Sequence, residues 1–172
     1  MEVKPMSEDD RAAVDALVDR CFDATRRGRT AELLRAGSAP ILRLSFVARD
    51  GGGLVGAVRC HPVAWVGPSG RPRRLVLLGP LVTAPERRGE GIGLALLAKA
   101  AAALDREGLD CMLIGDAPYY GREGWSAEAT GGWGLPGPVE RERLLLRTRH
   151  PALYEGAARL MPAGEAGIPE AA

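Results

Sequence analysis

The sequence predicts an α/β domain with a mixed, mainly antiparallel central sheet flanked by helices. Two helix patterns near the N-terminus precede three successive strand patterns joined by glycine-rich turns; a long helix and a further strand follow. With 172 residues, 46% hydrophobic and 26% charged, the chain has the size of one domain with one core. We expect residues 1–160 to form that domain and residues 161–172, composed mostly of Pro, Gly, Ala and Glu, to form a flexible tail.

The two N-terminal helices are predicted from capping residues and apolar spacing. Ser7 is followed three residues later by Asp10, which resembles a capping pair with Asp in place of the usual Glu or Gln. A second, short helix is predicted near residues 30–35 and ends at Gly37, a residue suited to a left-handed cap. The apolar residues at helical spacing in the first helix are Val14, Leu17, Val18, Cys21 and Phe22.

Three strands are predicted next, over residues 42–49, 54–66 and 75–83. These runs are rich in apolar and β-branched residues. The glycine-rich segments 50–53 and 67–70 separate them and read as hairpin turns. The sheet is therefore expected to begin with antiparallel strands.

A long helix then changes the direction of the sheet. It is predicted over about residues 91–107, with Gly108 as its end, and a strand follows over residues 111–114. A strand, a helix and a strand in this order form a right-handed crossover between parallel strands. A short last strand is predicted at residues 144–146.

Charge and hydropathy narrow the classes of partner. The net charge of +1 is too small to indicate a polyanionic partner, and the basic clusters 26–29 and 71–74 read as solvated surface, so we expect no nucleic-acid binding. The longest apolar run, residues 75–84, is shorter than the ~18 residues of a membrane span. The N-terminus lacks the pattern of a secretory signal, so a cytoplasmic location and no membrane association are expected.

The cysteines indicate neither a disulfide framework nor a metal site. There are three of them, widely spaced, and none belongs to a C-x-x-C pair. We expect buried free thiols and no metal.

The chemistry is predicted at the start of the long helix. Gly89, Gly91 and Gly93 stand there, directly after Arg87 and Arg88. A glycine-rich turn that opens a helix offers unpaired backbone N–H groups at the positive end of the helix dipole, and glycine lets a bulky phosphate approach the backbone. The two arginines add positive charge. This segment therefore predicts a phosphate-binding site.

Two other phosphate motifs are alternatives. A P-loop is excluded because no Gly-Lys-Ser/Thr follows the glycines. A dinucleotide fingerprint would need a third glycine where Leu94 stands, although Asp116 lies about 20 residues further on, as the ribose-binding acid would. That fingerprint normally opens a parallel sheet, whereas antiparallel hairpins precede this segment.

Two motifs carry a resemblance to a known family. Residues 88–93, Arg-Gly-Glu-Gly-Ile-Gly, match the motif Arg/Gln-x-x-Gly-x-Gly/Ala, and residues 115–125, Gly-Asp-Ala-Pro-Tyr-Tyr-Gly-Arg-Glu-Gly-Trp, resemble the downstream element Ala-x-x-Phe-Tyr-x-x-x-Gly-Phe. The sequence thus resembles the GNAT superfamily of N-acetyltransferases, and within it the bacterial YhbS-like members. The resemblance spans roughly residues 1–150 and is sharpest over 75–125. The positions that match in the second element are Ala117, Tyr119, Tyr120, Gly124 and Trp125.

The resemblance implies acetyl-coenzyme A as the co-substrate. The backbone of Leu81 and Thr83 would pair with the pantetheine arm as an extra strand, and the N–H of Leu81 would face the thioester carbonyl. Pro80 is consistent with an opening in the sheet there, because proline cannot donate to a ladder. The residues expected to bind the coenzyme are Leu81, Val82, Thr83, Arg87, Arg88, Gly89, Glu90, Gly91, Ile92 and Gly93.

The resemblance also implies a general acid. Tyr120 stands where many members carry a tyrosine that protonates the departing thiolate; Tyr119 is chemically an equal candidate, and alignment with the motif favours Tyr120. A general base is not evident, since Leu77 stands where some relatives carry a strand glutamate. The substitutes considered are His61, Asp116 and Glu86.

The sequence thus predicts an enzyme that moves an acetyl group from acetyl-coenzyme A to a primary amine by direct attack in a ternary complex. The acceptor would be a small molecule or a peptide, and the protein a monomer or a homodimer. One alternative is a coenzyme A-binding or sensing module of the same fold with little turnover. Another is a nucleotide-dependent oxidoreductase.

Overall fold

A computed structural model describes residues 1–120 and 124–169 and defines the helices and strands. Short 3₁₀ turns lie between several of them, including Leu42–Leu44 and Pro85–Arg87. In chain order the elements are β1 Glu2–Pro5, α1 Arg11–Cys21, α2 Thr30–Arg35, β2 Phe46–Asp50, β3 Gly53–Val66, β4 Pro72–Thr83, α3 Ile92–Glu107, β5 Cys111–Ile114, α4 Ala117–Tyr120, β6 Trp133–Gly134, β7 Leu144–Arg147 and β8 Ala158–Pro162.

The strands form one mixed, mainly antiparallel sheet. Its order is β1-β2-β3-β4-β5-β7, and β8 pairs with β3 and with β6. The β1–β2, β2–β3, β3–β8 and β5–β7 pairs are antiparallel. The β4–β5 and β6–β8 pairs are parallel. The predicted fold class is confirmed, including the parallel β4–β5 pair joined through α3.

By its contacts the chain divides into two compact units that interleave along the sequence. Residues 1–26, 40–60 and 78–108 form the first unit. Strands β1 and β2, helices α1 and α3, and parts of β3 and β4 belong to it. One of its apolar clusters consists of Met6, Val14, Leu17, Val18, Val47, Ala57, Val82 and Ala84.

The second unit contains residues 27–39, 61–77 and the described chain from 109 onward. Trp65, Trp133 and Tyr154 pack edge-on or tilted against one another in its core, with ring centroids 5.4–6.4 Å apart. The polar atoms of this cluster are partly satisfied inside the protein: Trp133 Nε1 donates to the Tyr154 carbonyl at 2.9 Å, and the Tyr154 hydroxyl donates to Asp110 Oδ2 at 2.7 Å. Buried aromatic rings with bonded polar atoms favour one defined packing.

The first helix follows the predicted capping pair. The backbone N–H and the hydroxyl of Ser7 both donate to Asp10 Oδ2, at 2.9 and 2.7 Å. They enclose a 3₁₀ turn over Glu8–Asp10, and α1 starts one residue later. Asp10 is also held by Arg49 of β2, whose Nη2 lies 2.7 Å from Oδ1. The cap thereby attaches the helix start to the sheet.

Several strands differ from the sequence predictions. The strand expected over 42–49 begins only at Phe46, because Leu42–Leu44 forms a 3₁₀ turn in which the Ser45 hydroxyl donates to the Ile41 carbonyl. The edge strand β1 was not predicted, since it holds four residues and only one of them is partly buried. Strand β8 was also missed.

Strand β8 changes the account of the C-terminus. Pro162 pairs with Val63 of β3, and both Pro162 and Ala163 are buried. A 3₁₀ turn over Gly164–Ala166 follows. The tail expected from residue 161 therefore starts inside a paired strand, while residues 170–172 lie outside the described residues. In the described part of the chain, no helix combines the length and the apolarity needed to cross a bilayer.

Helix α3 lies close to the sheet because β3 carries a glycine beneath it. A Cβ added at Gly56 would lie 2.8 Å from Ile92 Cγ2, 2.9 Å from Leu96 Cδ1 and 3.1 Å from the Val82 carbonyl oxygen. Gly56 has no positive φ, so space and not backbone conformation requires glycine here. The position of α3, and with it the position of the helix start, depends on this contact.

We therefore expect Gly56→Ala to lower the free energy of unfolding by about 1–3 kcal/mol, the usual cost of an overpacked core. Chemical denaturation with an unchanged m-value is the measurement. Gly53→Ala on the same strand is the matched control, because its Cβ would meet only the Asp50 carbonyl oxygen at an ordinary 3.5 Å. Equal stability of the two variants would contradict the prediction.

Candidate functional site

The glycine-rich segment forms an open turn at the start of α3. Gly91 is the N-cap residue, with φ +78°, and Gly89 has φ +86°. L-amino acids with a side chain rarely adopt these values. A Cβ added at either position would meet no atom within 4 Å. The two glycines are thus required by the backbone conformation, and the space above them is open.

Several backbone N–H groups of this turn have no acceptor among the described residues. The first residue of the helix region whose N–H has an acceptor is Ala95, which donates to the Gly91 carbonyl at 3.0 Å. In the described chain no hydrogen bond is made by the N–H groups of residues 89–94. Unpaired N–H groups at the positive end of a helix dipole, here of a helix of 16 residues, are suited to binding an anion. The residues expected to bind phosphate are therefore brought together by one turn.

The two arginines before this turn differ in their partners. Arg87 Nε donates to Glu90 Oε1 at 2.7 Å, and its Nη2 donates to Asp50 Oδ2 at 2.9 Å. These bonds, first that of Glu90 and then that of Asp50, raise the pKa of Arg87, and the bond from Arg87 lowers the pKa of Glu90. Arg88 is exposed and forms no ion pair with any described residue. Arg88 therefore has its charge available, whereas the charge of Arg87 is already matched.

The Arg87 bonds connect the turn to the β2–β3 hairpin. Asp50 is the last residue of β2, and its bond to Arg87 crosses 37 positions of sequence. Nothing in the sequence indicates this pairing, since Asp50 reads as an ordinary hairpin-turn residue. The Arg87–Asp50 pair is evident only from the tertiary structure.

The end of β4 supplies Leu81, Val82 and Thr83. Val82 is buried, and Leu81 and Thr83 are half-buried, as alternation along a strand requires. The Thr83 carbonyl accepts a hydrogen bond from Cys21 Sγ at 3.3 Å, and the Ala84 N–H donates to the Val55 carbonyl at 2.9 Å. The peptide bond between Gly79 and Pro80, which precede this segment, is cis.

The parallel ladder of β4 is short. It joins Val76 to Cys111 and Leu77 to Met112, whereas β4 itself continues to Thr83. Leu77 is 1% exposed and belongs to the core of the second unit. A leucine buried in this way has no proton acceptor to offer, so the position gives no general base.

The tyrosine pair lies on α4. The N–H groups of Tyr119 and Tyr120 both donate to the Asp116 carbonyl, at 2.9 and 3.3 Å. Tyr119 is 44% exposed and Tyr120 is half-buried. The Tyr120 ring centroid lies 4.9 Å from that of Tyr119 and 6.5 Å from that of Trp125. The two neighbouring tyrosines therefore have different surroundings, which is consistent with only one of them acting as the general acid.

Burial, with smaller contributions from Tyr119 and Asp116, raises the pKa of Tyr120 to about 12. At neutral pH the phenol is therefore protonated and can donate a hydrogen bond. Residues 121–123 of the second motif lie outside the described residues. The described part of that motif, 115–120 and 124–125, begins directly after β5 and includes α4 and the buried Trp125.

Each of the three substitute bases has its own neighbours. His61 is buried, and its Nδ1 lies 3.2 Å from the Ser38 hydroxyl. Glu86 is exposed and accepts hydrogen bonds from Arg20 at 2.9 and 3.2 Å. Asp116 is exposed and lies 3.1 Å from Arg143 Nε.

The cysteines are free, and metal ligands do not cluster in the described residues. Cys60 and Cys111 are buried and Cys21 is half-buried. Burial raises the pKa of Cys60 to about 12, so its thiol is not a reactive thiolate. Across residues 1–120 and 124–169, no three His, Cys, Asp or Glu side chains lie close enough together to hold a metal ion.

Comparisons with known proteins agree with this arrangement. A search of curated proteins finds no match. Among solved structures, the chain resembles the GNAT family N-acetyltransferase YhbS of Escherichia coli, which was determined in complex with CoA: the identity is 22%, the match covers 92% of this chain and 88% of that chain, and the TM-score is 0.72. It also resembles a GNAT family acetyltransferase of Brucella melitensis in complex with acetyl-CoA, at 25% identity over 86% of this chain and 96% of that chain, with a TM-score of 0.60.

The family model described as an acetyltransferase (GNAT) domain matches residues 2–127. This range includes the open turn, α3 and the tyrosine pair. It confirms the resemblance noted in the sequence, and it disfavours the dinucleotide-binding alternative because the glycine segment lies inside a GNAT domain. Since the family model covers well over half of the sequence, the chain belongs to the GNAT acetyltransferase family.

Proposed function

We propose that this protein transfers the acetyl group of acetyl-coenzyme A to a primary amine by direct attack in a ternary complex. The observation that carries the proposal is the open turn at the start of α3, where successive unpaired N–H groups and the exposed Arg88 form an anion site. The two similar solved structures hold CoA or acetyl-CoA, which supports a coenzyme A pyrophosphate as the anion.

The backbone of residues 89–93 binds the pyrophosphate, and Arg88 adds the charge that a polyanion needs. Arg87 and Glu90 hold the turn in shape through the ion pair they form with each other. Their part in coenzyme binding is therefore indirect. Ile92 and Gly93, the first residues of α3, contribute N–H groups of the first turn.

The pantetheine arm lies along the end of β4. Leu81, Val82 and Thr83 present extended backbone there, and the ladder from β4 to β5 ends four residues before Leu81. The N–H of Leu81 donates to the thioester carbonyl and stabilises the oxyanion that forms as the amine attacks. The Thr83 carbonyl already accepts from the Cys21 thiol, a weak donor that an amide N–H of the pantetheine can replace.

Tyr120 is the general acid for the departing thiolate. Its pKa of about 12 lies above the ~8.5 of an ordinary thiol, so full proton transfer to a free thiolate is uphill. The phenol donates a hydrogen bond to sulfur as the C–S bond breaks. When its proton passes to sulfur, the proton released by the attacking amine restores the phenol, so that the net transfer is from amine to thiolate. The high pKa keeps Tyr120 protonated throughout the pH range in which the enzyme works.

No side chain is assigned as general base. The buried Leu77 excludes a carboxylate at its position, so the amine arrives neutral or loses its proton through water. His61, Asp116 and Glu86 remain substitutes for this role. The acceptor is a small molecule or a peptide, and the protein acts in the cytoplasm as a monomer or a homodimer.

The proposal is tested by measuring free thiol release from acetyl-coenzyme A with a panel of amines that includes peptides, polyamines and aminoglycosides. Turnover with one class of amine supports the enzyme. Tight coenzyme binding with no thiol release for any amine supports the sensing module instead. Absence of coenzyme binding, measured by calorimetry, contradicts both.

We expect Gly91→Asp to weaken acetyl-coenzyme A binding by about 100-fold or more, about 2.7 kcal/mol, because a carboxylate would occupy the space where the pyrophosphate approaches. Calorimetry of the purified variant is the measurement. Gly91→Asn separates charge from size, since asparagine tolerates the left-handed conformation and has nearly the same shape.

The second control for Gly91→Asp is Gly108→Asp at the other end of α3. Gly108 also has a positive φ, +63°, and open space around its Cβ position. The Gly108→Asp substitution adds the same negative charge at the opposite end of the helix. Equal loss of affinity in the two aspartate variants would move the anion site elsewhere.

The two arginines are expected to behave differently. Arg88→Gln removes the available charge and should weaken coenzyme binding by roughly 10-fold, about 1.4 kcal/mol, with unchanged thermal stability. Arg87→Gln removes the ion pair with Glu90 and one of the two ion pairs of Asp50, which keeps the N-terminal amine of Met1 as a partner. The variant should lower the melting temperature, with a smaller effect on affinity. Thermal unfolding and calorimetry of both variants test this. The reverse pattern would show that Arg87 contacts the phosphates.

The tyrosine pair gives a further test. Tyr120→Phe removes the donor and keeps the ring, so kcat should fall by ~10²-fold or more with little change in coenzyme affinity. Tyr119→Phe is the matched control and should be mild in kcat. If the two variants behave in the opposite order, the assignment is shifted by one residue. If neither slows turnover, the thiolate departs without help from the tyrosines.

A further inference from the structure

Gly115 lies between β5 and α4, directly beneath the ring of Tyr120. A Cβ added at Gly115 would lie 2.4 Å from Cε2 and 3.1 Å from Cδ2 of Tyr120, and 3.1 Å from Leu113 Cδ1. Carbon atoms that are not bonded to each other do not approach to 2.4 Å. The Tyr120 ring thus occupies the volume that any side chain at position 115 would need.

The backbone does not explain this glycine. Gly115 is not among the glycines with positive φ, so other residues could adopt its conformation. Glycine is required at this position because the Tyr120 ring takes up the space of a side chain.

Arg143 holds the segment that carries Gly115 through two contacts. The Gly115 N–H donates to the Arg143 carbonyl at 2.9 Å, and the Asp116 carboxylate lies 3.1 Å from Arg143 Nε. Asp116 in turn accepts the N–H groups of the tyrosine pair through its carbonyl. Gly115 therefore cannot move away from an added methyl group at low cost, and the side chain of Tyr120 is the part that would shift.

We propose that Gly115 is a positioning residue that determines where the Tyr120 hydroxyl lies. The proposal rests on the proposed function, in which that hydroxyl donates to the departing sulfur. Gly115 contacts the ring and not the reacting atoms, so it acts through Tyr120. Proton donation needs heavy-atom distances of about 2.6–3.2 Å. The 2.4 Å contact must lengthen by about 1 Å to become an ordinary one, and a displacement of that size weakens donation by the hydroxyl.

The kinetic test is a double-mutant cycle of Gly115→Ala and Tyr120→Phe, with kcat and coenzyme affinity measured for each variant. We expect Gly115→Ala to lower kcat about as much as Tyr120→Phe, ~10²-fold, and to leave coenzyme affinity within ~2-fold. The double variant should be no more than ~3-fold slower than Tyr120→Phe, because the two changes remove the same interaction. Wild-type kcat in Gly115→Ala, or losses that multiply, would overturn the proposal.

Gly131→Ala is the matched control. Gly131 has φ −57°, and a Cβ there would meet no atom within 4 Å. Gly131 belongs to the same unit as Gly115, and both variants replace a glycine with alanine. Its kcat should equal that of the wild type.

A second measurement separates the position of the ring from the reaction. The chain contains three tyrosines, so 3-fluorotyrosine labelling gives three ¹⁹F resonances that Tyr→Phe variants assign. Gly115→Ala should shift the Tyr120 resonance, and Gly131→Ala should not. If Tyr120→Phe leaves kcat unchanged while the resonance shifts, the acid role fails and the positioning contact stands. An unshifted resonance would refute the contact itself.

Stability supplies the test if Gly115→Ala folds poorly. Removal of the ring in Tyr120→Ala should create room for the methyl group, so Gly115→Ala should cost much less thermal stability in that background than in the wild type. An equal cost in both backgrounds would mean that the methyl group clashes with Leu113 or the backbone instead, and would contradict the proposal.

Discussion

The start of α3 is the constraint on which the rest of the candidate site depends. Gly89 and Gly91 have left-handed φ, with open space around their Cβ positions, and the N–H groups of residues 89–94 have no acceptor in the described chain. The helix behind them lies close to β3 because Gly56 has no side chain. A helix lifted from the sheet would carry its N–H groups away with it. Packing and anion binding are therefore linked through one element.

Charge around the turn is divided between structure and function. Arg87 donates hydrogen bonds to Asp50 and Glu90. These bonds join the turn to the β2–β3 hairpin and restrict the motion of its backbone N–H groups. Arg88, the next residue, keeps its charge exposed. Such surface ion pairs contribute little to stability one at a time, commonly about 0.2–1 kcal/mol, but several bonds on one guanidinium restrict its geometry. A rigid set of donors loses less entropy when it binds an anion.

The tyrosine pair in the second unit shows how neighbours with the same side chain acquire different chemistry. Burial raises the pKa of Tyr120 to about 12, and contact with Gly115, Tyr119 and Trp125 holds its ring. Tyr119 is largely open to solvent. A donor that never ionises near neutral pH suits a reaction in which negative charge develops on sulfur. In the transfer that we propose, the buried Leu77 leaves the proton of the amine without an assigned acceptor.

The sequence by itself determined the fold class, the long helix from about 91 to 107 with Gly108 at its end, and the strand Cys111–Ile114, because these depend on local periodicity and on residues that end helices. It also indicated the family and the glycine-rich turn for which we propose phosphate binding, since both depend on contiguous motifs. Tertiary structure alone decided that Arg87 is paired with Asp50, that β8 extends the sheet next to β3, and that Gly115 makes room for Tyr120. The first two join residues far apart in sequence. The third is close in sequence, but it depends on the direction of a side chain, which no one-dimensional pattern records.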